Sequence, residues 1–210
     1  VIRVLLVHDS RLLRSGLAAL IEAEPDIEVT TTSWCDARSR ARAVRPHVCV
    51  VDTDCPGSDG ATRKGELAKI SEGISGGRTG KDGRCELLVL ADAERPGPLR
   101  RAHEARALGY IDRNASPDRL LDAIRSVANK ERFIDDSLGY GFLQAAQMPL
   151  TARELSVLSL AAEGASIAEI ARSLHLSNGT IRNYMAAITR KTGARNRVDA
   201  IRISRGEGWV

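Results

Sequence analysis

The stretch that most constrains this chain runs from Gly164 to Thr192, GASIAEIARSLHLSNGTIRNYMAAITRKT. It reads as two helices joined by a tight turn. Ser166 is a helix-cap type, and Glu169 follows at the spacing of a capping box. Ile167, Ile170, Ala171 and Leu174 then fall at helical spacing, and the run stops at His175-Leu176. Ser177 caps a second helix, on which Ile181, Met185, Ile188 and Thr192 share one face. The opposite face carries Arg182, Asn183, Ala186, Thr189 and Arg190. A short helix, a tight turn and a second helix with a polar, basic outer face suit the major groove of DNA. A helical hairpin in any core is the bland alternative.

The charge pattern supports the DNA reading. From residue 182 to 205 the basic residues are Arg182, Arg190, Lys191, Arg195, Arg197, Arg202 and Arg205, against Asp199 as the one acid. A solvated surface would mix both signs. One sign on one small segment is the footprint of a phosphate-binding surface. On this reading Arg182, Asn183 and Ala186 face the bases, Ser177, Thr180, Lys191 and Arg195 contact phosphate, and Arg190 and Arg197 belong to the same DNA-binding surface.

Upstream, apolar runs alternate with helical patterns. Val1–Val7, Ile27–Thr32, Val48–Val51, Glu86–Leu90 and Gly109–Ile111 read as strands, the first and third buried on both faces. Helices are expected near Leu12–Ile21, over Asp36–Val44, over roughly residues 61–70, after Pro96-Gly97-Pro98, and from Ser116-Pro117 onward. Residues 71–84 hold glycines at 73, 76, 77, 80 and 83 and read as a loop. Gly80-Lys81 lacks the earlier Gly and the Ser/Thr of a phosphate loop. The expected architecture is α/β: a doubly wound, five-stranded parallel sheet over residues 1–128, a linker over 129–148 with a short helix at Leu138–Ala146, and a small all-α helix-turn-helix domain over 149–210. Thr151 and Glu154 form a further capping box at the start of that domain, and Arg197–Ser204 its last helix. Such a sheet places its site outside the carboxyl ends of the strands, where His8, Asp9, Asp52, Ala91 and Arg113 stand.

Other classes find little support. No apolar run reaches the ~20 residues of a membrane span, and the opening VIRVLLV is too short and wrongly flanked for a signal peptide. Cys35, Cys49, Cys55 and Cys85 show no Cys-x-x-Cys spacing and read as reduced thiols of a cytoplasmic protein. There is no Gly-x-Ser-x-Gly, His-Glu-x-x-His or dinucleotide Gly motif, so no enzyme is expected. His8 beside Asp9 and Asp52 invites a transition-metal site, against a plain structural cluster with Arg113 as counter-ion.

Residues 150–201, LTARELSVLSLAAEGASIAEIARSLHLSNGTIRNYMAAITRKTGARNRVDAI, resemble the LuxR-type helix-turn-helix nearly end to end. VLLVHDS, VVDTDCPGSDG and GYIDRNAS stand where a response-regulator receiver has its site segments. Together the chain resembles the NarL/FixJ family of DNA-binding response regulators. The resemblance implies that Asp52 stands at the phosphoacceptor position, with acids after the first strand holding Mg²⁺ and a Ser/Thr and a Lys contacting the phosphoryl group. Here His8 replaces the first acid, Ala91 the hydroxyl and Arg113 the Lys. Asp9 and Asp52 are left as ligands for Mg²⁺, a weak site, and no other cofactor is expected. The expected protein binds double-stranded DNA as a homodimer and does not switch by ordinary aspartyl phosphorylation or depend on a sensor kinase. Phosphorylation-dependent regulation through Asp52 is the alternative.

Overall fold

The computed structural model describes residues 1–52, Cys55 and residues 85–210. The expected helix near residues 61–70 and the Gly-rich loop at 71–84 lie outside the described residues. Six strands form one parallel sheet: β1 (Ile2–Val7), β2 (Ile27–Thr32), β3 (Val48–Asp52), β4 (Glu86–Ala91), β5 (Gly109–Asp112) and β6 (Phe133–Ile134), in the order β2-β1-β3-β4-β5-β6. Side chains alternate across the sheet, so each inner strand feeds two cores. Val4, Leu6, Val48, Val50, Leu88 and Leu90 pack on one side with α1 (Arg11–Glu22). Leu5, Val7, Cys49, Val51, Leu87 and Val89 pack on the other with α2 (Ala37–Val44). Burial on both faces is why these strands read as unbroken apolar runs.

Past β4, α3 (Pro96–Glu104) starts at a proline, where the missing N–H costs nothing. The next helix, α4 (Pro117–Ala128), is capped by Ser116, whose hydroxyl accepts from the Arg119 N–H, and buries Leu120, Leu121, Ile124 and Val127. The sheet does not end at residue 128, however. β6 pairs with β5 through Gly109↔Phe133 and Tyr110↔Ile134, inside the stretch expected to be linker. A two-residue strand is too short to show a period. α5 (Gly139–Gln147) follows and packs on α3, with Phe142 edge-on to Tyr110 at 5.1 Å. Gly141 permits this close approach, since a Cβ there would meet the Ala93 carbonyl at 2.6 Å.

The C-terminal domain is α6 (Ala152–Ala162), α7 (Ile167–Leu174), α8 (Asn178–Thr192) and α9 (Arg197–Gly206) around Leu155, Leu158, Ile170, Ile181, Met185 and Ile188. Both expected capping boxes are present, Thr151 with Glu154 and Ser166 with Glu169. His175 ends α7 in the left-handed region, and Ser177 caps α8 by accepting from the Thr180 N–H. Among the described residues no helix is long and apolar enough to cross a membrane.

The two domains touch at the start of α3. The Gly97 N–H donates to the Gly208 carbonyl at 3.2 Å, and the Arg101 guanidinium donates to the Trp209 carbonyl at 3.5 Å. A Cβ on Gly97 would overlap the Trp209 carbonyl. Gly→Ala in a helix ordinarily stabilises by about 1 kcal/mol. Here Gly97→Ala should have the opposite sign, lowering the thermal midpoint and displacing the tail. Thermal unfolding together with Trp209 fluorescence checks both.

Candidate functional site

The ends of β1, β3 and β5 bring His8, Asp52 and Arg113 together. Asp52 is 6% exposed and His8 2% exposed. Ser10 donates its N–H to His8 Nδ1 at 3.0 Å, so Nδ1 is an acceptor and the ring proton sits on Nε2. His8 Nε2 lies 3.2 Å from Asp52 Oδ2. The Arg113 guanidinium pairs with Asp52 Oδ1. Its backbone N–H donates to the Ala91 carbonyl at 2.9 Å, so Arg113 is also pinned to the end of β4. Ala91 is fully buried and brings no hydroxyl.

Cys55 completes the cluster. Its Sγ lies 3.2 Å from His8 Nδ1 and accepts the Asp9 N–H at 3.0 Å. Burial, first, and the Asp52 and Asp9 carboxylates push the thiol pKa up, against the lowering effect of its backbone hydrogen bonds. Asp9 turns elsewhere, and its Oδ1 accepts the Trp34 N–H at 2.9 Å. Among the described residues His8, Asp52 and Cys55 are the cluster of potential metal donors, within 4.8 Å of one another. Cys55 thus stands where the sequence suggested Asp9. Mg²⁺ wants oxygen ligands in near-octahedral geometry. A nitrogen, a sulfur and a carboxylate already paired with a guanidinium do not fit that ion.

In the C-terminal domain, α8 buries Ile181, Met185 and Ile188 and turns Arg182, Asn183, Ala186 and Arg190 outward, all exposed. The Ser177 and Thr180 hydroxyls lie 2.9 Å apart at its N-terminus. Other basic residues named for phosphate contact are engaged inside the domain. Lys191 Nζ bonds Glu154 at 2.7 Å, tying the end of α8 to the start of α6. Arg197 donates to the carbonyls of Ala165 at 2.6 Å, just past α6, and Ala161 at 3.3 Å, in its last turn. Arg195 bonds Asp199 but stays largely exposed.

Residues 148–204 match a family described as bacterial regulatory proteins, luxR family. The response regulator RamR of Streptomyces coelicolor is 47% identical, over 100% of this chain and 98% of RamR. The chain belongs to the NarL/FixJ family of DNA-binding response regulators. The transcriptional regulatory protein DesR of Bacillus subtilis is 34% identical over 99% of this chain and 98% of its own. Among solved structures, response regulator ChrA of a heme-sensing two-component system superposes with a TM-score of 0.53 at 27% identity, covering 100% of this chain and 98% of ChrA. Promoter-bound RcsB of Salmonella enterica serovar Typhimurium reaches 0.71 at 19% identity, covering 96% and 97%, a likeness of fold.

Two contacts of this response regulator were not legible beforehand. Cys55 read as an incidental thiol, and its position three residues past Asp52 was the one available clue. The Glu154–Lys191 pair spans 37 residues and leaves no local signal. Burial pushes the Glu154 carboxyl up, but the bonds from Lys191 and Thr151 outweigh it and hold the pKa below the ordinary 4.5. That contribution is therefore present above pH 4.5 and lost as the pH falls through the lower folded value. Lys191→Ala should cost about 1.5–3 kcal/mol, the worth of a hydrogen bond to a charged group. It should also shift acid unfolding to higher pH. Urea unfolding across an acid pH series tests both.

Proposed function

We propose that this regulator binds specific double-stranded DNA sites as a homodimer, and that its receiver is not switched by aspartyl phosphorylation. The observation that carries the second statement is the pairing of Asp52 with Arg113 and His8 in a buried cluster. A phosphoryl group on either Asp52 oxygen would have to displace the partner held there, and it would remove the carboxylate charge that Arg113 pairs with. Ala91 offers it no hydroxyl, and a hydrogen bond to a charged group is worth about 1.5–3 kcal/mol. Inverting a 1:99 equilibrium takes about 5.5 kcal/mol of differential binding, so this one loss is a large share. Arg113 keeps a positive charge, but its planar fork is not equivalent to a lysine ammonium. Asp52→Asn should leave DNA affinity within about threefold, under 1 kcal/mol. Acetyl phosphate should leave no adduct detectable by intact mass. Efficient labelling of Asp52 with a rise in DNA affinity would favour the phosphorylation-dependent alternative.

For DNA, the reading assigns base contacts to Arg182, Asn183 and Ala186. Arg pairs with guanine and Asn with adenine, each discriminating by about 1–3 kcal/mol. Ser177, Thr180, Arg190 and Arg195 meet phosphates, with Lys191 and Arg197 close to the backbone while holding the helices in place. One recognition helix reads few base pairs, so two half-sites are required. The promoter-bound and dimeric RcsB structures are consistent with this arrangement. Arg182→Ala should lose affinity for the specific site and little for random DNA, in band shifts on both. Equal losses on the two DNAs, or a footprint of one half-site, would count against these assignments.

A further inference from the structure

Helix α2 is a second concentration of positive charge, remote from α8 in the sequence. It exposes Arg38, Arg40 and Arg42, and an exposed Arg45 follows at its C-cap. Arg38, Arg42 and Arg45 stand at i, i+4 and i+7, beside the buried Ala37 and Ala41. The acids nearby do not cancel this charge. Asp36 is the one acid from residue 35 to 47, and it accepts the Ser33 hydroxyl at 3.2 Å. Glu28 stands opposite Arg3 in the β1–β2 register, so that pair adds nothing. His47 adds nothing either, since desolvation, first, and the charge of Arg3 push its pKa below the ordinary 6.5. Four arginines against Asp36 leave three positive charges. Among the described residues none of the four guanidiniums has a carboxylate partner. Like charges one turn apart are unfavourable on a helix, so the stripe does not serve α2 itself.

A polyanion offsets such a stripe. A protein interface or a membrane surface would also require apolar anchors. No large hydrophobic is exposed between residues 34 and 47. The stripe from Arg38 to Arg45 spans about 10 Å at 1.5 Å per residue. One strand of duplex DNA offers about three phosphates over that length. The planar guanidinium is also the side chain best matched to phosphate. Ala37 and Ala41 share a core with Leu99 and Ala102, so α2 covers the same face of the sheet as α3. That is the helix whose Gly97 holds the tail of the DNA-binding domain.

We propose that Arg38, Arg42 and Arg45 form a second DNA contact, on the receiver, that holds the phosphate backbone without reading sequence. The proposal rests on DNA binding through α8, but not on the base contacts assigned there or on the state of Asp52.

The test is the salt dependence with which the full chain binds a random-sequence duplex of about 40 base pairs. Each phosphate contact contributes about −0.9 to the slope of log affinity on log salt. The triple variant Arg38→Gln/Arg42→Gln/Arg45→Gln should therefore flatten the slope by about 2.7. Between about 50 and 200 mM salt the unsubstituted chain should then lose about 40-fold more affinity than the variant. Arg38→Gln and Arg42→Gln, each alone, should flatten it by about 0.9. Arg→Lys at the three positions should keep the slope, with melting curves confirming that each variant folds. As a control, Arg11→Gln/Arg106→Gln/Arg132→Gln removes the same charge from exposed positions outside the stripe and should leave the slope within about one unit. A slope untouched by the stripe variants, or flattened equally by the control, would overturn the proposal and leave α8 in place. An unsubstituted chain that binds no duplex at all would overturn both readings.

Discussion

A carboxylate that is 6% exposed at a strand end has to be paired, and much of the receiver half follows from how Asp52 meets that demand. Its partners come from distant parts of the chain, His8 at the end of β1 and Arg113 at the end of β5. The His8 ring is itself fixed by the Ser10 N–H, and its carbonyl accepts from Arg14 of α1 at 2.7 Å. One buried charge therefore ties three strand ends and the first helix together. Removing Arg113 would leave that charge uncompensated, and removing His8 would take away a hydrogen bond to it; breaking a buried pair costs more than forming it gains. Such a cluster favours one arrangement, which is the physical basis of the proposal that an added phosphoryl charge is not the switch.

That arrangement is joined to the segment after β4. The Ala91 carbonyl holds the Arg113 backbone. Two residues on, the Ala93 carbonyl lies against Gly141 of α5. The Glu94 carbonyl lies against Gly208, and Gly97 against Trp209. A shift of this segment would press at once on the helix before the DNA-binding domain and on that domain's tail. Because these are contacts of backbone on glycine, with no side chain between to yield, small displacements are passed on rather than absorbed.

How much of this was legible depended on range. Alternation across β1, β3 and β4 and the 3.6-residue stripes of α4 and α8 are local patterns, and they predicted buried residues such as Val50, Ile124 and Met185. Capping signals at Ser116, Thr151, Ser166 and Ser177 set helix starts because a cap acts within a few residues. The gathering of His8, Asp52 and Arg113 followed from strand order, since parallel strands bring their carboxyl ends together. β6 escaped because two residues carry no period. Cys55 and the Trp34 N–H escaped because their partners lie 47 and 25 residues away, and loop geometry alone brings them in.

The same distinction between local count and long-range use bears on the basic C-terminal segment. A cluster of positive charge was the strongest sign of a phosphate surface, yet part of it serves the scaffold. Lys191 neutralises Glu154, Arg197 reaches the Ala161 and Ala165 carbonyls, and Arg205 reaches the Ala162 carbonyl at 2.6 Å. The three carbonyls lie in the last turn of α6 or just past it, where unpaired carbonyls and the negative end of the helix dipole attract cations. Salt dependence of DNA binding scales with the phosphates actually neutralised, a slope of about −0.9 for each on B-DNA. A guanidinium bent onto carbonyls reaches a phosphate only by giving up those bonds. The charge count is therefore an upper bound on phosphate contacts, and in the proposed DNA-binding mode the exposed residues of α8 and the α8–α9 turn would carry them.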